Sequence, residues 1–74
     1  MANGFIHTVP KGKQWVNEVE GEGAIGGAHA TKDEAVLVGR ARASQDKTEH
    51  VIHNEDGTIS ERNSYGGDSP SRPG

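Results

Sequence analysis

His50-Val-Ile-His-Asn-Glu-Asp-Gly-Thr-Ile-Ser-Glu-Arg-Asn-Ser-Tyr-Gly-Gly-Asp68 is the most definite stretch of the chain. Two runs with strand character, His50 to His53 and Thr58 to Arg62, flank Asn54-Glu55-Asp56-Gly57. An Asp-Gly pair between such runs is the turn chemistry of a β-hairpin, with positive φ expected at Gly57. Val51 and His53 share one face of this hairpin and His50 and Ile52 the other, because successive strand side chains alternate.

Upstream lies Thr31-Lys32-Asp33-Glu34, which matches a capping box. Thr31 caps a helix, Glu34 reaches back to the Thr31 amide, and both acidic residues suit the positive end of the helix dipole. The helix is expected from Lys32 to about Gln45. Its apolar residues do not form one stripe. Ala35, Gly39 and Ala43, spaced by four, make a face of small residues that lets a helix sit close on a sheet; either the helix packs through its larger residues and leaves this face out, or it packs through this face, and of the two we expect the second. Leu37 and Val38 are then presented to something else, and a contact between two copies is natural there.

At the other end, Phe5 to Val9 and Gln14 to Glu20 read as two strands joined through Lys11-Gly12-Lys13. Trp15 and Val19 are expected to point inward. In the first strand Phe5, His7 and Val9 make the more apolar face, so that face is expected to be the inner one. Gly21 to Ala30 holds four Gly within seven residues, which predicts a mobile loop rather than a regular element. The resulting order is β-β-α-β-β. The expected class is α+β, a small antiparallel sheet with one helix packed on one face. Residues 4–65 make a single domain, and the nine residues 66–74, with two Pro, three Gly and no apolar side chain, read as a disordered C-terminal tail.

Composition narrows the function classes. A chain of 74 residues buries only about 60% of the surface that its unfolded form exposes, so a large enclosed active-site pocket is not expected. The core is thin, with a 30% hydrophobic fraction and one each of Phe, Trp and Tyr, and is expected to lean on a partner. There is no Cys, hence no disulfide and no thiolate metal site, which fits the cytoplasm. The first residues lack both a basic start and a long apolar run, so neither a signal peptide nor a membrane span is expected. A net charge of −3 provides no global attraction to phosphate.

Having reached these residues, we can give the resemblance they carry. His7-Thr-Val-Pro10, Trp15-Val-Asn-Glu-Val-Glu-Gly21, Thr31-Lys-Asp-Glu-Ala35, Gly39-Arg40, His50-Val-Ile-His-Asn-Glu-Asp-Gly57 and Ser64-Tyr-Gly-Gly-Asp68 together resemble a family of small bacterial and phage proteins known only as a domain of unknown function. The resemblance runs from about His7 to Pro70. It implies a free-standing small cytoplasmic protein and carries over no catalytic, cofactor or metal residues.

The chemical signals are weak one by one. Gly21-Glu-Gly23-Ala-Ile-Gly26 satisfies G-x-G-x-x-G, but the helix cap at Thr31 lies too far on for the helix amides to meet a pyrophosphate. Of the four His, at 7, 29, 50 and 53, the last two differ by three in a strand and should face opposite sides, so no metal site is expected. No nucleophile and base, or pair of carboxylates in a cleft, can be assembled, so no enzyme is expected. The expected function is a non-enzymatic protein-interaction module that self-associates or binds a protein partner, with Leu37, Val38 and Tyr65 as candidate contacts. Tyr65 is expected to fold back on the core. The alternative is a nucleic-acid-binding accessory protein using Lys11, Lys13, Arg40 and Arg42 with Trp15 as a stacking surface; net charge disfavours it.

Overall fold

The computed structural model describes residues 4–66. Along them come β1 (Ile6–Lys11), β2 (Gln14–Val19), β3 (Gly23–His29), α1 (Lys32–Asp46), β4 (Glu49–His53) and β5 (Ile59–Ser64). The strands form one sheet in the order β3-β2-β1-β4-β5, with α1 packed across one face against β1 to β4. The α+β class with a single helix on one face is as the sequence predicts. The helix begins at its capping box: the Thr31 hydroxyl accepts from the Glu34 amide at 3.1 Å. Glu34 reaches back one residue further than expected, to the Ala30 amide at 3.3 Å.

Three features depart from expectation. First, the glycine-rich segment is not a loop: β3 pairs antiparallel with β2, which makes the element order β-β-β-α-β-β. Val16 pairs with Ala28 and Asn17 with Ile25, so Gly26 and Gly27 bulge out between them at φ 74 and 78. Side chains other than glycine rarely adopt that conformation, so the glycines that weaken a strand by entropy are here what lets the strand pass its bulge. Second, the sheet is mixed rather than antiparallel, because β1 and β4 run parallel in register Ile6↔His50, His7↔Val51 and Thr8↔Ile52. Third, the inner face of β1 is Ile6 and Thr8, both fully buried, and not Phe5, His7 and Val9. Residue 7 is instead on the face away from the helix.

Pro10 lies within β1 and pairs with Trp15, yet it breaks nothing. The parallel pairing with β4 stops at Thr8, so no ladder bond is asked of the proline nitrogen on that side.

The core lies between α1 and the inner face. Ala35, Gly39 and Ala43 are the buried residues of the helix, as the small-residue face predicts. Ile6, Val19 and Ala43 form its tightest cluster, with Ile25 and Tyr65 packed against it. Trp15 and Val19 are buried as expected. Tyr65 also donates its amide to the Thr48 carbonyl at 3.1 Å, which ties down the end of β5. The expected disordered tail lies, beyond Gly66, outside the described residues.

Candidate functional site

Three groups of side chains stand out, and each draws residues from elements distant in sequence. The first is sealed beneath α1. Thr8 donates its hydroxyl to Asn17 Oδ1, and the Thr8 oxygen accepts from His50 Nε2 at 2.7 Å. Asn17 Nδ2 donates to the Ala35 carbonyl of the helix at 2.9 Å. Thr8, Asn17 and His50 are all fully buried, and they come from the three neighbouring strands β1, β2 and β4. A Cβ on Gly39 would lie 2.5 Å from Asn17 Oδ1, 2.6 Å from His50 Nε2 and 2.9 Å from Thr8 Oγ1, so the helix can approach only with glycine there.

This geometry sets the protonation of His50. Because Thr8 spends its hydrogen on Asn17, Nε2 of His50 carries the proton that Thr8 accepts, and Nδ1 is a bare lone pair, buried and without a hydrogen-bond partner. Burial and then the Arg40 guanidinium hold the imidazole below its usual pKa, against a smaller raising effect of Glu61. His50 is therefore a neutral ring in a closed layer. No substrate reaches it without displacing α1, and its chemistry is that of a register-setting hydrogen-bond group.

The second group lies on the opposite face of the sheet, which no helix covers. His7 Nδ1 is 3.0 Å from His53 Nε2, and His7 Nε2 is 2.6 Å from Glu20 Oε2. The two rings are tilted by 32° with centroids 5.2 Å apart. Nothing local to His7 or His53, 46 residues apart, predicts that they meet, because their contact depends on the parallel pairing of β1 with β4. Only the alternation separating His50 from His53 was readable, and those two do lie on opposite faces. Among the described residues, no three His, Asp or Glu side chains gather closely enough to hold a metal ion by themselves.

The third group lines an open groove of about 600 Å³ formed by Trp15, Lys32, Asn54, Glu55 and Asp56. The Lys32 ammonium sits 5.6 Å from the Trp15 ring centroid and donates to Asn54 Oδ1 at 3.2 Å. The turn beside it is as expected: the Gly57 amide donates to the Asn54 carbonyl at 2.9 Å, and Gly57 has φ 91. Hydrogen bonds from the Thr58 hydroxyl and amide hold the Asp56 carboxyl below its usual range, so it is ionised. The groove thus offers one ammonium, already bonded, against two carboxylates.

The residues singled out from sequence are spread over the molecule. Leu37 is 62% exposed and Val38 39% exposed, on the helix flank away from the buried small face. Tyr65 belongs to the core periphery. Lys11 and Lys13 are exposed at the β1–β2 turn, near the buried Trp15 whose ring Lys32 already covers. Arg42 pairs with Asp46 at 2.8 Å one helical turn on. Arg40 is exposed. Gly21, Gly23 and Gly26 build the β2–β3 turn and β3 itself, not the approach to the helix N-terminus.

Fold and surface together define a small α+β domain with a mixed five-stranded sheet, a sealed polar layer under its helix and a second sheet face that no helix among the described residues covers, on which Val16 and Val51 are nonetheless buried. The chain belongs to the DUF2188 family, described as an uncharacterized protein conserved in bacteria, whose model matches residues 6–65. No curated protein and no solved structure matches it. No helix among the described residues is long and apolar enough to cross a membrane.

Proposed function

We propose that this chain is a non-enzymatic protein-interaction module that acts through self-association or a protein partner, with the outer flank of α1 and the edge strand β3 as the contact. The observation that carries this reading is the way the helix is turned. Its small residues are buried and its large ones, Leu37 and Val38, face outward. Val38 stands over β3, where a methyl placed on Gly26 would come within 4.0 Å of its Cγ1. β3 itself, Gly-Ala-Ile-Gly-Gly-Ala-His, has no Asp, Glu, Lys or Arg, whereas the opposite edge, β5, carries Glu61 and Arg62. Edge strands are commonly protected from pairing by charge or by a bulge; β5 carries charge, while β3 carries none and is interrupted by its Gly26–Gly27 bulge, which confines pairing to the segments on either side of it. An uncharged edge beside an exposed apolar helix flank suits β-strand addition with side-chain contacts above it.

Sedimentation velocity over a range of concentrations tests the self-associating form, and affinity capture from the natural host tests the heterologous one. Leu37→Glu together with Val38→Lys should weaken association at least tenfold while leaving the far-UV circular dichroism unchanged. A chain that stays monomeric at millimolar concentration and captures no specific partner sinks the proposal. The nucleic-acid alternative through Lys11, Lys13, Arg40 and Arg42 has less support, because Arg42 is paired and the groove beside Trp15 carries two carboxylates. It predicts binding to DNA or RNA that weakens with salt.

A further inference from the structure

We propose that His7 and His53 form a transition-metal site on the sheet face away from α1, taking Cu²⁺ or Ni²⁺ in preference to Zn²⁺, with Glu20 as the carboxylate that orients His7. Three observations converge on it. The two imidazole nitrogens, His7 Nδ1 and His53 Nε2, are 3.0 Å apart and belong to neighbouring parallel strands, so the backbone holds both rings. The other nitrogen of His7 is 2.6 Å from Glu20 Oε2, and a carboxylate accepting there fixes the proton on Nε2 and leaves Nδ1 as a lone pair. A metal-ligating histidine almost always shows this arrangement, its second N–H given to a carboxylate. The His7 side chain is 23% exposed and Glu20 52%, so an ion can reach the pair from the Glu20 side, although Val16 and Val51 on the same face are buried.

Ligand type and number select the metal. Two neighbouring imidazoles with the other positions open suit the cis positions of a tetragonal or square-planar centre, which Cu²⁺ and Ni²⁺ favour, whereas zinc sites take three or four protein ligands. The order of intrinsic affinities for nitrogen ligands also places Cu²⁺ first. Two protein ligands leave the remaining positions to water, since among the described residues no third His, Asp or Glu stands close enough to complete the site.

The proton balance is simple. Without metal, the His53 Nε2–H donates to His7 Nδ1. On binding, that proton passes through solvent to Nδ1 of His53, and the freed Nε2 lone pair and His7 Nδ1 both turn onto the ion. The metal takes the place of the hydrogen between the two nitrogens.

Calorimetric titration of the full chain with Cu²⁺, Ni²⁺ and Zn²⁺, with electron paramagnetic resonance of the copper form, tests this. Expected are saturation at one Cu²⁺ per chain, nitrogen hyperfine structure from two imidazoles, and affinity falling from Cu²⁺ through Ni²⁺ to Zn²⁺. His7→Gln and His53→Gln should each weaken binding at least tenfold, Glu20→Gln should weaken it about tenfold or more, and His29→Gln should leave it unchanged. Circular dichroism confirms that each variant is folded. Absence of binding at millimolar Cu²⁺, or equal binding by the His7→Gln/His53→Gln double variant, overturns the site. Zn²⁺ binding tighter than Cu²⁺ overturns the cis geometry, and full affinity in Glu20→Gln overturns the role of Glu20.

Discussion

A methyl group on residue 39 would collide with three polar atoms at once, and this one position measures how the protein is put together. Gly39→Ala gains about 1 kcal/mol of helix propensity. It also forces Asn17, His50 and Thr8 apart from α1, at the cost of overpacking and of buried hydrogen bonds. The second effect wins, and we expect a net loss of about 2 kcal/mol, read as a fall in Tm of roughly 10 °C for a domain this size. An unchanged midpoint would remove the close approach.

His50 adds a pH dependence of known sign. Its folded pKa lies below the unfolded value of about 6.5, so between the two the unfolded chain binds a proton that the folded chain refuses. Its contribution to stability is complete above that unfolded value and is lost as pH falls through it toward the folded value. Thermal melts between about pH 7 and 5.5 should therefore show a steeper loss for the native chain than for His50→Gln. Parallel curves would contradict a neutral, buried His50.

At the scale of the element, the two ends of α1 differ in how openly the sequence declares them. Thr31-Lys32-Asp33-Glu34 announces the start, and the structure caps it there. The end comes at Lys47, in left-handed conformation at φ 56, with its amide and that of Thr48 closing onto the last carbonyls. Lysine is a poor indicator of such a cap, which is usually glycine or asparagine. Lys47→Gly should stabilise the protein by about 1 kcal/mol by relieving the left-handed strain; a denaturant midpoint that does not rise would contradict this. β3 is the opposite case. Its glycines read as a loop because composition reports backbone entropy, while its existence depends on β2 presenting an edge for it to pair with.

For the molecule as a whole, the sheet is uneven: α1 covers one face, charge protects the β5 edge, and β3 has neither charge nor a further strand beside it. If the chain self-associates through β3 and the α1 flank, its Tm should rise with protein concentration, because the associated form binds only folded chains. A midpoint independent of concentration over two decades would contradict that form of the proposal.

By itself the sequence determined what is local. The capping box, the Asn54-Glu55-Asp56-Gly57 turn, the small-residue face of α1 and the inward Trp15 and Val19 follow from neighbours within a few residues, where sterics and hydrogen bonding act directly. Leu37 and Val38 could likewise be placed outside once the small face was put inside. Only the tertiary structure decided that β4 runs parallel beside β1, and with it every contact across 40 residues or more. That pairing places His50 against Thr8 under Gly39, brings His53 to His7 on the far face, and turns Ile6 and Thr8 inward in place of His7 and Val9. The faces of β1 were nearly balanced in hydrophobicity, so its own residues could not choose between them. The choice came from the pairing of β1 with β2 and β4, which sets Thr8 beside Asn17 and His50 in the hydrogen-bonded layer that Gly39 leaves room for.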